Sequence, residues 1–226
     1  MNNENSLQLS ASPRLLAIIV LTPLLLGGVC QLVKAGESLR FRGDNTFPES
    51  AVVQTAEWSR ETGRVYPSLA QSPYTPAPYG PLFYLSLSTF ARAANAGFDQ
   101  IMTSGRVVVL LSFLVLPMMA FRWVRSRGMP ATVAWTSAAI ILAQIDFLDW
   151  NVSVRPDMLA LLFAFAAFYL LTADELSVRG VLVAGALCGV SALFKQSFIA
   201  LPFVGVVWLV MNKRWRHALL LSLIHI

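Results

Sequence analysis

The sequence predicts an all-α, polytopic integral membrane protein with about six transmembrane helices and a large first external loop carrying juxtamembrane helices. Three observations predict it. Of the 226 residues 56% are hydrophobic and only 13% are charged, about half the roughly 25% of a soluble domain. The apolar residues gather into six stretches of 15 to 19 residues that contain no Asp, Glu, Lys or Arg. The basic residues stand at the ends of these stretches, where they set orientation in a membrane, and form no single stripe. The net charge of +5 and the pI near 9.6 therefore do not point to nucleic acid. Cys30 and Cys188 are the two cysteines, both inside apolar stretches, which excludes a disulfide scaffold and a four-cysteine metal site.

Residues 1–14 read as a polar cytoplasmic tail. Residues 15–33 follow as an uncleaved signal-anchor: 19 uncharged residues make about 28 Å of helix against a hydrocarbon core of about 30 Å. Gly27-Gly28-Val29-Cys30 before Gln31 is a poor cleavage site. Residues 34–105 form the large external loop and hold six of the twelve acidic residues, Glu37, Asp44, Glu49, Glu57, Glu61 and Asp99. Within it, residues 49–64 place Val52, Val53, Ala56 and Trp58 at near-helical spacing, an amphipathic helix expected to lie in the interface and to end at Gly63. Residues 72–81 (SPYTPAPYGP) carry four prolines, which forbid regular helix and give a stiff extended path. Tyr74, Tyr79, Phe83 and Tyr84 suit the head-group level.

Residues 81–90 are apolar but too few to cross, and they are assigned as juxtamembrane; the alternative is a short seventh span. The charge count favours the assignment. With the N-terminus inside, the inner side receives Arg14, Arg122, Arg125, Arg127, Arg179, Lys213, Arg214 and Arg216, and a crossing at 81–90 would move both three-residue basic clusters outside. Residues 106–220 then hold spans two to six, at 107–121, 128–145, 158–173, 180–194 and 196–212, and the start of a further segment. Residues 221–226 (LSLIHI) read as a sequencing-adapter artefact, the alternative being the ordinary start of another span.

The chemical signal lies in charges at the outer membrane face. Between spans three and four stand Asp146, Asp149, Trp150, Arg155, Pro156 and Asp157; between spans five and six stand Lys195 and Gln196 with almost no loop around them. Arg155 and Lys195 are costly facing lipid tails and well placed to hold a phosphate, or they snorkel and anchor their spans. Asp157 after Pro156 favours a helix N-terminus and is open to a purely structural role. Asp44 and Glu49, in FRGDNTFPES, are carboxylates just outside a span, able to serve as general base toward an acceptor hydroxyl or simply solvated. No phosphate-cradling glycine loop, metal-ligand spacing or Ser-His-Asp pattern occurs. Gly185 and Gly189 make a small-xxx-small pattern suited to packing.

Taken together, Asp44, Pro48 and Glu49, the stretch ending in YGPLFY (Tyr79, Gly80, Pro81, Leu82), Arg106, the triplet Arg155-Pro156-Asp157 and the pair Lys195-Gln196 resemble the GT-C membrane glycosyltransferases. The similarity is to the protein-O-mannosyltransferase and aminoarabinose-transferase-like branch. One departure stands out: many relatives carry adjacent Asp-Glu in the first loop, whereas Asn45 follows Asp44 here and Glu49 comes five positions on. The resemblance implies a glycosyltransferase of the bacterial inner membrane, multi-pass, with a cytoplasmic N-terminus and an extracytoplasmic site. It implies a polyprenyl-phosphate-linked sugar donor, an acceptor that is a lipid, glycan or protein, membrane lipids around the chain, no nucleic acid and room for a divalent metal. Asp44 or Glu49 is then the base of an inverting transfer. Arg155 and Lys195, with Arg106, hold the departing phosphate, Asp157 and Gln196 assist in binding, and Tyr79 and Tyr84 shape the sugar pocket. The alternative from another class is a non-catalytic transporter or lipid-carrier-binding protein, against which stands the absence of an internal repeat.

Overall fold

The computed structural model describes residues 13–46, 49–66, 68, 70, 77–144 and 152–224, the first five of these by backbone alone. Pro48, Tyr74, Asp146, Asp149, Trp150 and most of the N-terminal tail lie outside the described residues. Among the described residues the chain runs α1 (Pro13–Arg40), α2 (Glu49–Thr62), α3 (Pro81–Ala93), α4 (Phe98–Ser126), α5 (Ala131–Leu142), α6 (Asp157–Leu171), α7 (Val178–Phe194), a 3₁₀ turn (Gln196–Ile199), α8 (Ala200–Met211) and α9 (Trp215–Ile224), with no strand.

Two helices are long and apolar enough to cross a membrane, Ile18–Arg40 and Phe98–Ser126. Both outrun the apolar stretches that predict them, because backbone hydrogen bonding continues through charged residues until something breaks it. α1 runs on past Lys34 and Glu37 to Arg40, and α4 begins at Phe98, eight residues before Arg106. There Gln100 turns back and accepts from the Gly97 N–H at 3.0 Å, and Gly128 closes the other end at φ +72°. The remaining expected crossings appear as shorter apolar helices of 10 to 17 residues. At 12 residues α5 is about 18 Å long.

The short helix over 81–90 is α3, and it joins α2 in covering one end of the bundle. Pro81 stands at the first helical position after an extended Gly80, where a missing N–H costs nothing. Gly63, at φ +72°, ends α2. The apolar face of α2 does not lie against lipid as its amphipathic pattern suggests. Val52, Val53 and Ala56 are buried with Phe83, Tyr84, Leu87, Ile101 and Phe194 in one core cluster. Arg60 donates to Ala96 O at 2.8 Å and Arg92 donates to Arg60 O at 3.0 Å, tying α2 to the α3–α4 turn. Phe83 and Tyr84 consequently sit in the core instead of at a head-group surface.

The opposite end is closed by polar contacts at the last turns. Trp123 Nε1 donates to Thr172 at 2.9 Å, and Arg214 donates to the carbonyls of Ala173 and Asp174. Between the ends, α6, α7, α8 and α9 share a core of Ala167, Leu171, Val181, Ala184, Cys188, Leu209, Ala218 and Leu221. Of the small-residue pair, Gly185 serves packing, since a Cβ there would meet Ile224 at 2.9 Å, whereas a Cβ at Gly189 would meet nothing within 4 Å. Large apolar side chains such as Ile18, Phe203 and Met211 face outward, an exterior suited to hydrocarbon and unsuited to water.

Gly80 fixes how α3 meets α7. Its N–H donates to Phe194 O at 3.1 Å, and a Cβ at Gly80 would lie 2.0 Å from Leu193 O. Because the atoms in the way are the backbone of Leu193 and Phe194 and not a flexible side chain, Gly80→Ala is expected to cost about 3 kcal/mol through forced separation of α3 from α7. A fall in the melting temperature of the detergent-solubilised chain checks it, and an unchanged melting temperature contradicts the contact.

Candidate active site

The end capped by α2 and α3 collects nearly all the residues singled out in the sequence. Two ionic groups stand there, joined by the segment that leads into α6. The first is wholly buried. Arg106, on the inward face of α4, meets Glu49, the first residue of α2, with Nε to Oε1 at 3.0 Å and Nη2 to Oε2 at 2.7 Å. Its remaining donors reach three carbonyls: Nη1 to Ser38 O at 2.9 Å and Phe41 O at 2.5 Å, and Nη2 to Gly43 O at 2.5 Å. All five guanidinium N–H groups are thus engaged within the protein. Glu49 accepts further from Val154 N–H at 2.7 Å and from Asn45 N–H at 2.6 Å, so each of its oxygens takes two donors. Its fractional exposure is 0% and that of Arg106 is 1%.

This pair organises four elements at once. α1 ends in carbonyls turned to Arg106, the following turn wraps the guanidinium, α2 starts at the carboxylate, and Val154 is held beneath it. Gly105 lets Val154 approach α4; a Cβ there would come within 2.8 Å of the valine. Asp44 stands apart from the pair. Its side chain is exposed, and it accepts from the Ser50 N–H at 3.0 Å and the Ser50 hydroxyl at 2.7 Å, at the N-terminus of α2, where the helix dipole favours a negative charge.

The second group lies one residue beyond Val154. Asp157 opens α6 and reaches two cations: Arg155 Nε at 3.2 Å through one oxygen, and Lys195 Nζ through the other. Lys195 is placed by the end of α7, where the chain turns to an extended conformation after Phe194, and Ser191 anchors that turn to Ala160 O on α6 at 2.7 Å. Asp157 is largely buried, while Arg155 and Lys195 are 17% and 26% exposed and so reachable. Burial pushes the Tyr79 phenol up, with the nearby Arg155 guanidinium opposing the shift and the Asp157 carboxylate adding to it. Tyr79 lies beside the turn that carries Lys195, because the next residue, Gly80, bonds to Phe194 O. Its backbone N–H donates to Tyr84 Oη at 3.3 Å, and its carbonyl accepts from Tyr66 Oη at 3.1 Å. Tyr84, at 0% exposure, has no surface to offer a ligand, and desolvation pushes its phenol up as well. Gln196 is exposed, at the mouth of an apolar groove of about 660 Å3 lined by Pro202, Phe203, Val206 and Leu221.

Several partners here were invisible in the sequence because they are backbone atoms: the carbonyls of Ser38, Phe41 and Gly43 and the N–H groups of Asn45 and Val154. The buried pair and the exposed Asp44 separate by stability. Glu49→Gln removes a carboxylate from a fully desolvated guanidinium and is expected to cost about 3–5 kcal/mol, with Arg106→Lys similar because an ammonium lacks the five-donor fork. Asp44→Asn keeps an acceptor at the helix start and should cost under about 1 kcal/mol. Thermal unfolding of the three variants in detergent checks the order; equal losses would refute it.

No curated protein and no solved structure matches the chain. The sequence profile of the dolichyl-phosphate-mannose-protein mannosyltransferase family matches residues 82–226. That range takes in Tyr84, Arg106, Arg155, Asp157, Lys195 and Gln196; Glu49 and Tyr79 precede it and are bound to it through Arg106, Val154 and Tyr84, and Asp44 precedes it with its contacts to Ser50 alone among the described residues. With well over half of its length matched, and with the site's cations inside the matched part, the chain belongs to the dolichyl-phosphate-mannose-protein mannosyltransferase family of membrane glycosyltransferases.

Proposed function

We propose that this protein transfers a sugar from a polyprenyl-phosphate donor to an acceptor hydroxyl at the extracytoplasmic face of a bacterial inner membrane, with inversion at the anomeric carbon. The observation that carries the reading is the meeting of Arg155 and Lys195 on the single carboxylate of Asp157, beside Gln196 and the mouth of an apolar groove. Two partly exposed cations suit a phosphate head, and the apolar groove lined by Gln196, the residue after Lys195, suits a hydrocarbon tail. Asp157, itself largely buried, holds the two partly exposed cations in register for that phosphate.

Asp44 is the base in this reading. Glu49 is already saturated by four donors and has no exposure, whereas both oxygens of Asp44 remain open to a further donor beyond Ser50. The acceptor hydroxyl gives its proton to Asp44 as its oxygen bonds to the anomeric carbon. The carbon–oxygen bond to phosphate breaks, and polyprenyl phosphate leaves with the electron pair, held by Arg155 and Lys195. Arg106, with every donor engaged, acts through Glu49 and Val154 on the placement of Arg155 and not on phosphate directly. Tyr79 borders the sugar, and Tyr84 supports Tyr79 from behind.

Membranes carrying the full-length protein, given radiolabelled polyprenyl-phosphate sugars, test this. Asp44→Asn is expected to leave donor binding intact and to lower release of label at least about 100-fold. Lys195→Gln is expected to weaken donor binding. Wild-type transfer by Asp44→Asn would overturn the base assignment, and donor that binds wild-type protein but is never consumed would favour a lipid-carrier-binding protein instead.

A further inference from the structure

A second charged site stands on the outer flank of the same end, separate from the Asp157 group. α1 and α4, the two helices of membrane length, finish together there, and their ends enclose a cavity of about 460 Å3. Its lining includes Arg40 and Arg42 from the end of α1 and the turn after it, and Asp99, Thr103 and Ser104 from the first turns of α4, with the exposed ring of Phe41 at the rim. Neither guanidinium, nor the Asp99 carboxylate, makes an ion pair or side-chain hydrogen bond to another described residue, whereas Arg106, a short way along α4, has every donor engaged. Two cations and one anion around one opening, left unpaired with each other, match a ligand carrying the reverse arrangement.

The geometry points to a docking site for the head group of a phosphoethanolamine lipid, with the phosphate between Arg40 and Arg42 and the primary ammonium on Asp99. Position argues for a lipid over a soluble ligand: Arg40 and Asp99 stand seven and eight residues outside the apolar stretches 15–33 and 107–121, about 10 Å of helix and so on the polar side of the membrane edge where head groups lie, and the exposed Phe41 ring adds an apolar contact there. The two guanidiniums suit a phosphate through paired N–H groups. Asp99 selects against a choline head, whose quaternary nitrogen has no N–H to donate, and against a glycerol head, which brings no positive charge. The site is independent of the sugar-transfer chemistry, and it provides a fixed lipid against α1 and α4 beside the loop that holds Asp44.

Native mass spectrometry of the full chain, released from detergent with phosphatidylethanolamine, phosphatidylglycerol or phosphatidylcholine of equal acyl length, tests the assignment. Wild type is expected to retain phosphatidylethanolamine over both others. The double variant R40Q/R42Q should bind it about tenfold more weakly, the effect of losing charge-assisted contacts to phosphate, and should lose phosphatidylglycerol as well. Asp99→Asn should weaken phosphatidylethanolamine while strengthening phosphatidylglycerol, an inversion that misfolding cannot produce. Unchanged binding by R40Q/R42Q, a wild-type preference for phosphatidylglycerol, or an unaltered ratio in Asp99→Asn would each overturn the site. Displacement by water-soluble glycerophosphoethanolamine at equal concentration would also overturn it, by assigning the chemistry to a free ligand.

Discussion

Burial of Glu49 against Arg106 is the constraint on which the capped end depends. Two full charges removed from water carry a desolvation cost of several kcal/mol each, returned only when every donor and acceptor finds a partner. Here they do: five donors on one side and four acceptor positions on the other are all met, largely by backbone groups. The consequence is geometric. A planar guanidinium and a planar carboxylate locked edge to edge by two parallel hydrogen bonds leave α1, the turn after it, α2 and Val154 with one relative arrangement.

From Val154 the constraint passes to the chemistry in three residues. Arg155 follows directly, Pro156 sets the entry to α6, and Asp157 takes up Arg155 and Lys195. A second route reaches the same place from α3, where Gly80 seats on the last turn of α7 and so fixes both Tyr79 and the turn that presents Lys195. The partly exposed ion group is thus clamped from two directions by buried contacts. In the proposed reading such support matters because donors already oriented cost little when a phosphate's charge arrives.

The far end relies on weaker devices. Arg127 pairs with Asp174 at 2.8 Å, but Asp174 is 82% exposed, so the pair contributes at most about 1 kcal/mol. The Trp123–Thr172 hydrogen bond and the Arg214 contacts to two terminal carbonyls of the α6 turn add direction more than energy. Precision is concentrated where the charges meet, and the rest of the bundle is held by small residues and aliphatic packing among α6 to α9.

Hydropathy and punctuation were enough to locate most helices. The apolar stretches predicted α1 and α4 through α8, the short apolar segment 81–90 the place of α3, and the glycine at 63 the end of α2. The ends of α1 and α4 were not legible, because a helix does not stop where hydrophobicity does. Nor was the side to which α2 turns: an apolar stripe records that something covers it, not whether that is lipid or α3. Among the candidate residues, charge at the membrane edge singled out Asp44, Glu49, Arg155, Asp157 and Lys195, and the family resemblance added Arg106. Residue type alone determined that these positions carry charge in an apolar chain. Only the tertiary structure decided which charges neutralise one another and which stay reachable, because Glu49 and Arg106 are 57 positions apart and their saturation depends on backbone atoms that no side-chain pattern encodes.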